Sequence, residues 1–199
     1  MCPELDTPDA LNPDWSLIVP PPSGSPCFVF YDCEFTSLTS DADLLSIGFA
    51  ALDSEDELYI EIEDAEVQLA SFFVKNEVLP LFGQHNPEVL TRDQAAVRIA
   101  EWLDSLREGN RDRQIVMVSD SPLDWQFFLE LFIPLPGEEP WARAFNVVGR
   151  LVSTLLDSGR QHHEYTSAVE LYHQQHKQRH HALVDARSMR EGVRESRFP

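Results

Sequence analysis

A short apolar stretch near the start of the chain, Cys27 to Phe35, is interrupted by two carboxylates, Asp32 and Glu34. The remaining residues of this stretch are apolar, so both faces of the predicted strand carry apolar side chains. This pattern is typical of a central strand covered on both faces. In a strand, Asp32 and Glu34 face the same way, with Cα atoms roughly 6.5 to 7 Å apart. Two such carboxylates are costly to desolvate unless a cation compensates them. The pair predicts a divalent-metal site, and the alternative is a turn at Asp32 with Glu34 at an exposed strand end.

The pattern of the rest of the chain is typical of one α/β domain. Residues 1–26 contain seven of the fourteen prolines and predict an irregular N-terminal arm, so we place the domain at 27–199. Further strands are expected at 44–52, 58–62, 115–118 and 144–148, which makes five strands in all. Residues 68–82 are expected to be partly helical, and a helix is expected to begin after the capping box of Thr91 and Gln94. Another is expected at 124–132, ended by the Pro- and Gly-containing segment 134–137. Two helices, at 163–177 and 182–196, are expected to finish the chain.

A third carboxylate is expected where the buried segment Ile115 to Val118 leads into a helix. Asp124 lies early in that helix and can face back over the end of the sheet, so we favour it as the third metal ligand. Asp120 is its rival, although an Asp followed by Ser-Pro is also a common way to open a turn.

Near the C-terminal end a His and an Asp, His180 and Asp185, lie five residues apart. In a continuous helix this separation places the two side chains about 140° apart, so they cannot share a face. If the helix starts near His181, His180 lies on the preceding loop and Asp185 points inward from the second turn. This arrangement suits a mobile general base beside a fixed metal ligand. The alternative is a solvated His180 in front of a helix that only packs in the core.

Taken together, these motifs resemble a known group of enzymes. Asp32-x-Glu34, Asp124 after a buried strand, and His180-x-Ala182-x-x-Asp185 are similar to the DEDDh group of 3′-to-5′ exonucleases in the ribonuclease H-like superfamily. That group includes oligoribonuclease, ribonuclease T and polymerase proofreading subunits. The stretch 71–81 and the pair Asp124-Trp125 look most like a bacterial exoribonuclease-like branch. The resemblance implies an α/β ribonuclease H-like fold, with a mixed five-stranded sheet flanked by helices.

The resemblance also implies an activity, cofactors and partners. We expect metal-dependent hydrolysis of the terminal phosphodiesters of short or single-stranded nucleic acid, with RNA favoured over DNA, and His180 as the base that activates the attacking water. The partners implied are the 3′ ends of single-stranded RNA or DNA and, by analogy with related enzymes, a second copy of the chain in a homodimer. Two ions, Mg²⁺ or Mn²⁺, are expected to be held by Asp32, Glu34, Asp124 and Asp185. Substrate contacts are expected from Phe35, Thr36, Leu38 and Trp125.

Two positions depart from the family pattern. The chain has Ser119-Asp120 where the family often has His-Asn before the middle acid, so the role of that pair toward substrate is not carried over. Ser37 stands where a Gly often follows Asp-x-Glu-x-Thr, which puts close approach of the terminal nucleotide to this loop in doubt. Neither departure removes an expected metal ligand.

Charge limits how the chain can contact nucleic acid. The formal net charge is −19, and residues 1–140 hold 28 acidic and 6 basic residues, whereas residues 141–199 hold 6 acidic and 9 basic residues. A protein that grips long nucleic acid usually shows a broad basic surface. We therefore expect contact with only a few nucleotides, through basic side chains in the C-terminal quarter of the chain. The candidates are Arg143, Arg150, Arg179, Arg187 and Arg190, although several could merely pair with surface acids.

Cysteine usage and the N-terminal sequence predict a cytoplasmic protein. Cys27 and Cys33 are expected on one strand, roughly 20 Å apart and beyond disulfide reach. The N-terminal sequence lacks the basic region and apolar core of a signal peptide, and no apolar run approaches membrane-spanning length. Both observations fit a reducing compartment and no membrane partner.

Two alternatives belong to other functional classes. Six of the seven histidines fall between residues 162 and 181, and His173, His176 and His180 would line one face of an unbroken helix. A histidine-rich module of this kind would bind a transition metal. The other alternative is a nuclease fold that has lost activity and only binds oligonucleotides, against which the retention of all five candidate residues argues.

Overall fold

The computed structural model of the chain describes residues 25–39, 41–107, 113–132 and 147–197. The predicted N-terminal arm, apart from its last two residues, and the predicted terminator at 134–137 lie outside these residues. Within them, a mixed six-stranded sheet is flanked by helices. The strands are β1 (Cys27–Phe35), β2 (Leu44–Ala51), β3 (Glu57–Ile62), β4 (Glu88–Leu90), β5 (Ile115–Ser119) and β6 (Val147–Leu151), and the helices are α1 (Arg92–Ser105), α2 (Pro122–Glu130), α3 (Gly159–His176) and α4 (Ala182–Arg197).

The strands lie in the order β4-β3-β2-β1-β5-β6. β2 runs antiparallel to both β1 and β3, whereas β5 runs parallel to β1, β6 parallel to β5 and β4 parallel to β3. The α/β class is confirmed, but the prediction of five strands is wrong. The described residues form six strands. The prediction missed β4, because this three-residue edge strand is too short to show an alternating apolar pattern.

The alternation of side chains along β1 divides them between two cores. Val29, Tyr31 and Cys33 pack on one face, in a cluster that also contains buried residues of α1 and α2. Phe30 packs on the opposite face, in a cluster with Met189 of α4. Asp32 and Glu34 continue the Phe30 side of the strand. The two carboxylates therefore point toward the layer that contains α4.

The helices begin where the sequence provides a cap. Thr91 accepts a hydrogen bond from the Gln94 backbone N–H, and the Gln94 side chain accepts one from the Thr91 backbone N–H, so the predicted capping box is confirmed. Ser121 caps α2 and Ser158 caps α3 through their side chains. The predicted helical segment at 68–82 is irregular, with a π-helical turn at Val74–Val78 and 3-10 turns at Val67–Leu69 and Leu79–Leu81.

Gly48 in β2 lets α4 approach the sheet beside the first carboxylate. Gly48 is the partner of Asp32 in the antiparallel register of β1 and β2. A Cβ atom at Gly48 would lie 2.3 Å from the backbone N of Leu183, in the first turn of α4. Only glycine fits this position, because the obstructing atoms are backbone. The close approach brings the first turn of α4, and with it Asp185, to the end of β1.

Candidate active site

A cavity of about 730 Å³ opens at the carboxyl end of β1, between the start of α2, the C-terminal half of α3 and the first turns of α4. Its floor is strongly acidic and its walls are largely apolar. All four carboxylates expected as metal ligands line it, together with the rival Asp120 and the expected base. These residues are Asp32, Glu34, Asp120, Asp124, Asp185 and His180.

Within the cavity the acidic side chains form two groups that could each hold a metal ion. Asp32, Asp120 and Asp124 form one group, and in each group the potential ligand atoms lie within 4.8 Å of one another. Glu34, His180 and Asp185 form the other. No other set of three or more His, Cys, Asp or Glu side chains in the described part of the chain meets this geometry. Asp120 thus joins Asp124 instead of replacing it.

The four carboxylates expected as metal ligands come from one strand and two helices. Asp32 and Glu34 sit at the end of β1, where its register with β2 shifts between Glu34 and Phe35. Asp124 lies in the first turn of α2, which Ser121 caps by accepting a hydrogen bond from the Leu123 N–H. Asp185 lies in the first turn of α4. Three separate elements therefore converge on one point.

Burial raises the pKa of every carboxylate in the cavity, and mutual repulsion raises it further for four of them: Asp32, Glu34, Asp124 and Asp185. Burial is the largest cause for Asp32, whose pKa lies well above its usual range, and the charges of Asp124 and Asp185 raise it further. Burial and Asp185 raise the pKa of Glu34 to about 8. Burial and Asp120 raise the pKa of Asp124 to about 8, and burial raises the pKa of Asp185 to about 7. Without a bound cation, these carboxylates therefore retain protons at pH values where free carboxyl groups are ionised.

Two carboxylate oxygens in the cavity are buried without a hydrogen-bond partner. They are Oδ2 of Asp124 and Oδ1 of Asp185. Buried carboxylate oxygens are normally hydrogen-bonded or coordinate a cation. The carboxylates of the two groups offer oxygen donors, which Mg²⁺ and Mn²⁺ prefer, and His180 adds one ring nitrogen to the second group. The residues present therefore fit a divalent cation of this type.

His180 lies on the loop before α4, the arrangement expected for a helix that starts near His181. The helix begins at Ala182, and His180 has a left-handed backbone with φ of 69°. Its backbone N–H donates a hydrogen bond of 3.0 Å to Oδ2 of Asp185, and its ring meets Phe73 edge to face at 5.0 Å. Burial and the neighbouring Arg179 lower the pKa of His180. A neutral ring at the cavity wall can accept a proton.

The helical face required by the histidine-rich alternative does not form. Helix α3 ends at His176, and Lys177 adopts the left-handed conformation with φ of 54°. His180 therefore lies beyond the helix that carries His173 and His176. The ring of His176 instead stacks on Tyr172, with centroids 3.9 Å apart.

The expected substrate contacts fall into two groups. Leu38 and Phe35 line the cavity, and Leu38 is 83% exposed. Thr36 is buried, and its hydroxyl accepts a hydrogen bond from the Asp43 N–H. Trp125 stacks on Phe128 with centroids 5.4 Å apart and lies against Gly149. Neither Thr36 nor Trp125 is among the residues that line the cavity, and their surroundings are those of structural residues.

Other residues that line the cavity include Phe73, Tyr165, His173 and Arg179. His173 Nε2 lies 3.5 Å from Oδ1 of Asp185, and Arg179 pairs with Glu170 at 2.7 Å. The sequence indicated His173 only as a member of a histidine cluster, and Arg179 as a candidate for phosphate contact. Phe73 and Tyr165 gave no signal, because they reach the cavity only through the packing of two helical segments over it.

No protein-family model matches the sequence, and no curated protein matches it. A separate structural observation concerns membranes: among the described residues, no helix is both long enough and apolar enough to cross one.

Proposed function

We propose that this protein is a metal-dependent 3′-to-5′ exonuclease with a ribonuclease H-like fold. Its substrates would be the 3′ ends of short or single-stranded nucleic acid, with RNA favoured over DNA. The cofactors would be two Mg²⁺ or Mn²⁺ ions, held by Asp32, Glu34, Asp124 and Asp185 with Asp120 beside them. The mixed sheet flanked by helices is compatible with this fold. From the sequence we infer that the protein is cytoplasmic.

One observation carries the proposal: five carboxylates converge on one cavity whose lining contains a single Lys or Arg side chain, Arg179. Arg179 is itself engaged by Glu170. Such a cavity would repel a phosphodiester unless cations are bound in it. A structural role for the cluster is disfavoured, because buried like charges raise one another's pKa and destabilise the fold. A site that binds cations together with an anionic substrate accounts for both features.

The residues of the chain would then divide the work. Bound divalent ions would supply Lewis-acid stabilisation of the charge that develops on the phosphodiester. His180 would take the proton of the attacking water, since its lowered pKa keeps the ring neutral near neutral pH. Asp185 would hold the His180 backbone through the 3.0 Å hydrogen bond while it contributes a metal ligand.

The walls of the cavity would receive the terminal nucleotides. Leu38 and Phe73 are exposed by 83% and 50% at its rim, and Phe35 lines it from the end of β1. Aromatic and apolar surfaces of this kind bind bases by stacking, with little dependence on sequence. A duplex end would have to fray before its bases could reach them. We therefore infer a preference for single strands.

The test is digestion of single-stranded RNA and DNA, labelled at the 5′ end, in several lengths, with Mg²⁺, with Mn²⁺ and with a chelator. A ladder of products shortened from the 3′ end that requires metal supports the proposal. Asp32→Asn should abolish the ladder. Glu101→Gln should not, because Glu101 is exposed on α1, outside the cavity.

The other functional classes predict different outcomes. An inactive oligonucleotide-binding module would bind the labelled strands without shortening them. A histidine-rich module would bind Zn²⁺ or Ni²⁺ in preference to Mg²⁺ or Mn²⁺. Wild-type protein that gives no ladder at any metal concentration, while binding Mn²⁺ at the cavity, would contradict the nuclease proposal.

A further inference from the structure

Left-handed backbone conformations are confined to two loops among the described residues. Gly83, His85 and Asn86 have φ of 77°, 60° and 53° in the loop before β4, and Lys177 and His180 have φ of 54° and 69° in the loop before α4. Side chains with a Cβ atom adopt this region at a steric cost, so surrounding contacts must hold them there. Four such residues in two loops indicate that contacts between the loops stabilise both.

The two loops are joined through Gln178. Its Nε2 donates a hydrogen bond to Oε1 of Gln84, and its Oε1 accepts one from Nε2 of His85 at 2.8 Å. The ring of His85 also meets the ring of His181 at a near-perpendicular angle, with centroids 4.8 Å apart. Gln178 and His181 flank His180 in sequence. The bridge therefore holds the chain on both sides of the expected base.

The loop before β4 is itself anchored to the sheet. The backbone N–H of Gly83 donates to Oε1 of Glu61 at 2.7 Å, and the hydroxyl of Tyr59 donates to the same oxygen at 3.0 Å. Tyr59 also packs against the His181 ring, with centroids 4.5 Å apart. Both Glu61 and Tyr59 belong to β3. These contacts connect the 177–181 loop to β3 and so fix its position relative to the sheet.

A second anchor comes from α4. Nδ1 of His85 lies 3.4 Å from Nη1 of Arg187 and accepts from it, because a guanidinium can only donate. Arg187 is in turn paired with Glu57, with Nε 3.0 Å from Oε1. The same helix carries Asp185, which accepts the His180 N–H. His85 therefore links the loop to the helix that supplies a metal ligand.

We propose that His85 and Gln178 are positioning residues for the proton-accepting ring of His180. They contact neither the acidic groups nor the cavity, and they act by fixing the backbone from which that ring projects. This proposal rests on the proposed nuclease function for its catalytic part. Its structural part, that the bridge immobilises residues 177–181, holds whatever the substrate is.

The test uses Gln178→Ala and His85→Ala, with Gln175→Ala and His163→Ala as matched controls on exposed positions of α3. The bridge variants should lower kcat by about 10- to 100-fold, the size of effect expected when a catalytic group is displaced by about 1 Å. KM should stay within about twofold, and the Mn²⁺ affinity should be unchanged. His85→Gln keeps a donor near the position of Nε2 and should recover most of the loss.

A double-mutant cycle separates positioning from general loosening of the fold. If Gln178 acts through His180, adding Gln178→Ala to His180→Ala should lower kcat no further. If the two losses multiply, the positioning proposal is overturned. Gln178→Glu serves where Gln178→Ala does not fold, because it keeps the acceptor for His85 and loses only the donor to Gln84.

Amide hydrogen exchange tests the structural part without any assay of activity. Gln178→Ala should speed exchange in residues 177–181 by at least about tenfold and leave β1 protected. Unchanged exchange in this loop would overturn the bridge. Wild-type protein without nuclease activity would instead defeat the proposed function and the catalytic part, with the exchange result still deciding the structural part.

Discussion

The backbone N–H of His180 donates a hydrogen bond of 3.0 Å to the carboxylate of Asp185, five residues further along the chain. The bond joins the proposed proton acceptor to a proposed metal ligand. Because His180 lies outside the helix and Asp185 inside it, the bond fixes how the loop enters α4. The two expected functions of this motif are therefore mechanically coupled.

Substitutions at Asp185 should separate charge from position. Asp185→Asn keeps an oxygen that can accept the His180 N–H but removes the charge, so turnover should be abolished while residues 177–181 keep their exchange protection. Asp185→Ala should lose both turnover and protection. Initial rates, Mn²⁺ titration by electron paramagnetic resonance and hydrogen exchange measure the three quantities. Near-full activity of Asp185→Asn at saturating Mg²⁺ would refute the assignment of Asp185 as a ligand.

The metal-free protein should lose stability as the pH rises. The raised pKa values, about 8 for Glu34 and Asp124 and about 7 for Asp185, mean that the folded protein holds more protons than the unfolded chain above about pH 4. When the folded state binds more protons, stability falls with increasing pH until those groups have ionised. The decrease should therefore extend from about pH 4 to about pH 8, and Tm should fall by roughly 2 to 4 °C for each kcal/mol lost.

Two comparisons check this pH dependence. Mg²⁺ or Mn²⁺ should raise Tm, and more strongly at pH 8 than at pH 5.5, because ligation needs ionised carboxylates. Asp32→Asn should flatten the pH dependence of the metal-free protein, whereas Glu101→Gln, outside the cavity, should not. Scanning calorimetry with and without chelator measures both effects. A metal-free Tm that rises steadily between pH 5.5 and pH 8 would show that the carboxylates do not repel one another as inferred.

The sequence predicted the elements that carry the acidic groups well, because their signals are local. Alternating apolar residues identified β1, and the five-residue spacing of His180 and Asp185 placed a helix start between them, which the structure bears out at Ala182. Local patterns also located the Thr91 cap. These features depend on the geometry of one strand or one helix and need no knowledge of tertiary packing.

What the sequence did not predict depends on packing between distant segments. The edge strand β4 has only three residues, so it carries no periodic signal. Trp125 was expected at the substrate because aromatic residues can stack on bases, but a pattern cannot distinguish that role from packing on Phe128. The approach of Phe73 and Tyr165 to the cavity likewise follows from how two helical segments fold over it.

Removal of the expected base should affect rate more than binding. His180→Ala should lower kcat by about 10²- to 10⁴-fold, the usual range for a lost general base, with little change in Mn²⁺ affinity. His181→Ala should cost less activity but more stability, because His181 is buried against Tyr59 and does not line the cavity. Single-turnover rates and thermal unfolding separate the two. Equal losses of kcat for both variants would place the base elsewhere.

The apolar rim and the apolar core should respond differently to truncation. Phe73→Ala should raise KM by about 5-fold or more, since a base stacked on an aromatic side chain is worth about 1 to 3 kcal/mol. Leu38→Ala should raise KM less, and both variants should affect stability only weakly. Trp125→Ala should instead destabilise the protein by about 3 to 5 kcal/mol, because it leaves a cavity beside Phe128 and Gly149. Val97→Ala, a truncation at an exposed position of α1, is the control. A raised KM for Trp125→Ala at unchanged stability would restore Trp125 as a substrate contact.

Binding of single strands should depend only weakly on salt. Of the five arginines considered for phosphate contact, Arg187 and Arg190 are engaged by Glu57. Arg179 pairs with Glu170 only at the exposed surface, Arg150 is exposed on β6, and Arg143 lies outside the described residues. Few of these arginine side chains are therefore free to bind phosphates and displace counterions. With two to four phosphates contacted, the slope of log K against log salt should be roughly −1.4 to −2.8, at about 0.7 for each contact with a single strand.

Arg179 offers the sharpest test of this charge argument, because it lines the cavity and pairs with Glu170 only at the surface. Arg179→Ala should weaken binding of single strands of every sequence about equally and reduce the salt slope by about 0.7, the share of one phosphate. Arg160→Ala is the matched control, since Arg160 pairs with Glu164 on the exposed side of α3 and should change neither quantity. Binding is measured in Ca²⁺, or with Asp32→Asn, at several salt concentrations and strand lengths. A steep slope, or an affinity that keeps rising beyond a handful of nucleotides, would reveal an extended binding track that this distribution of charge does not provide.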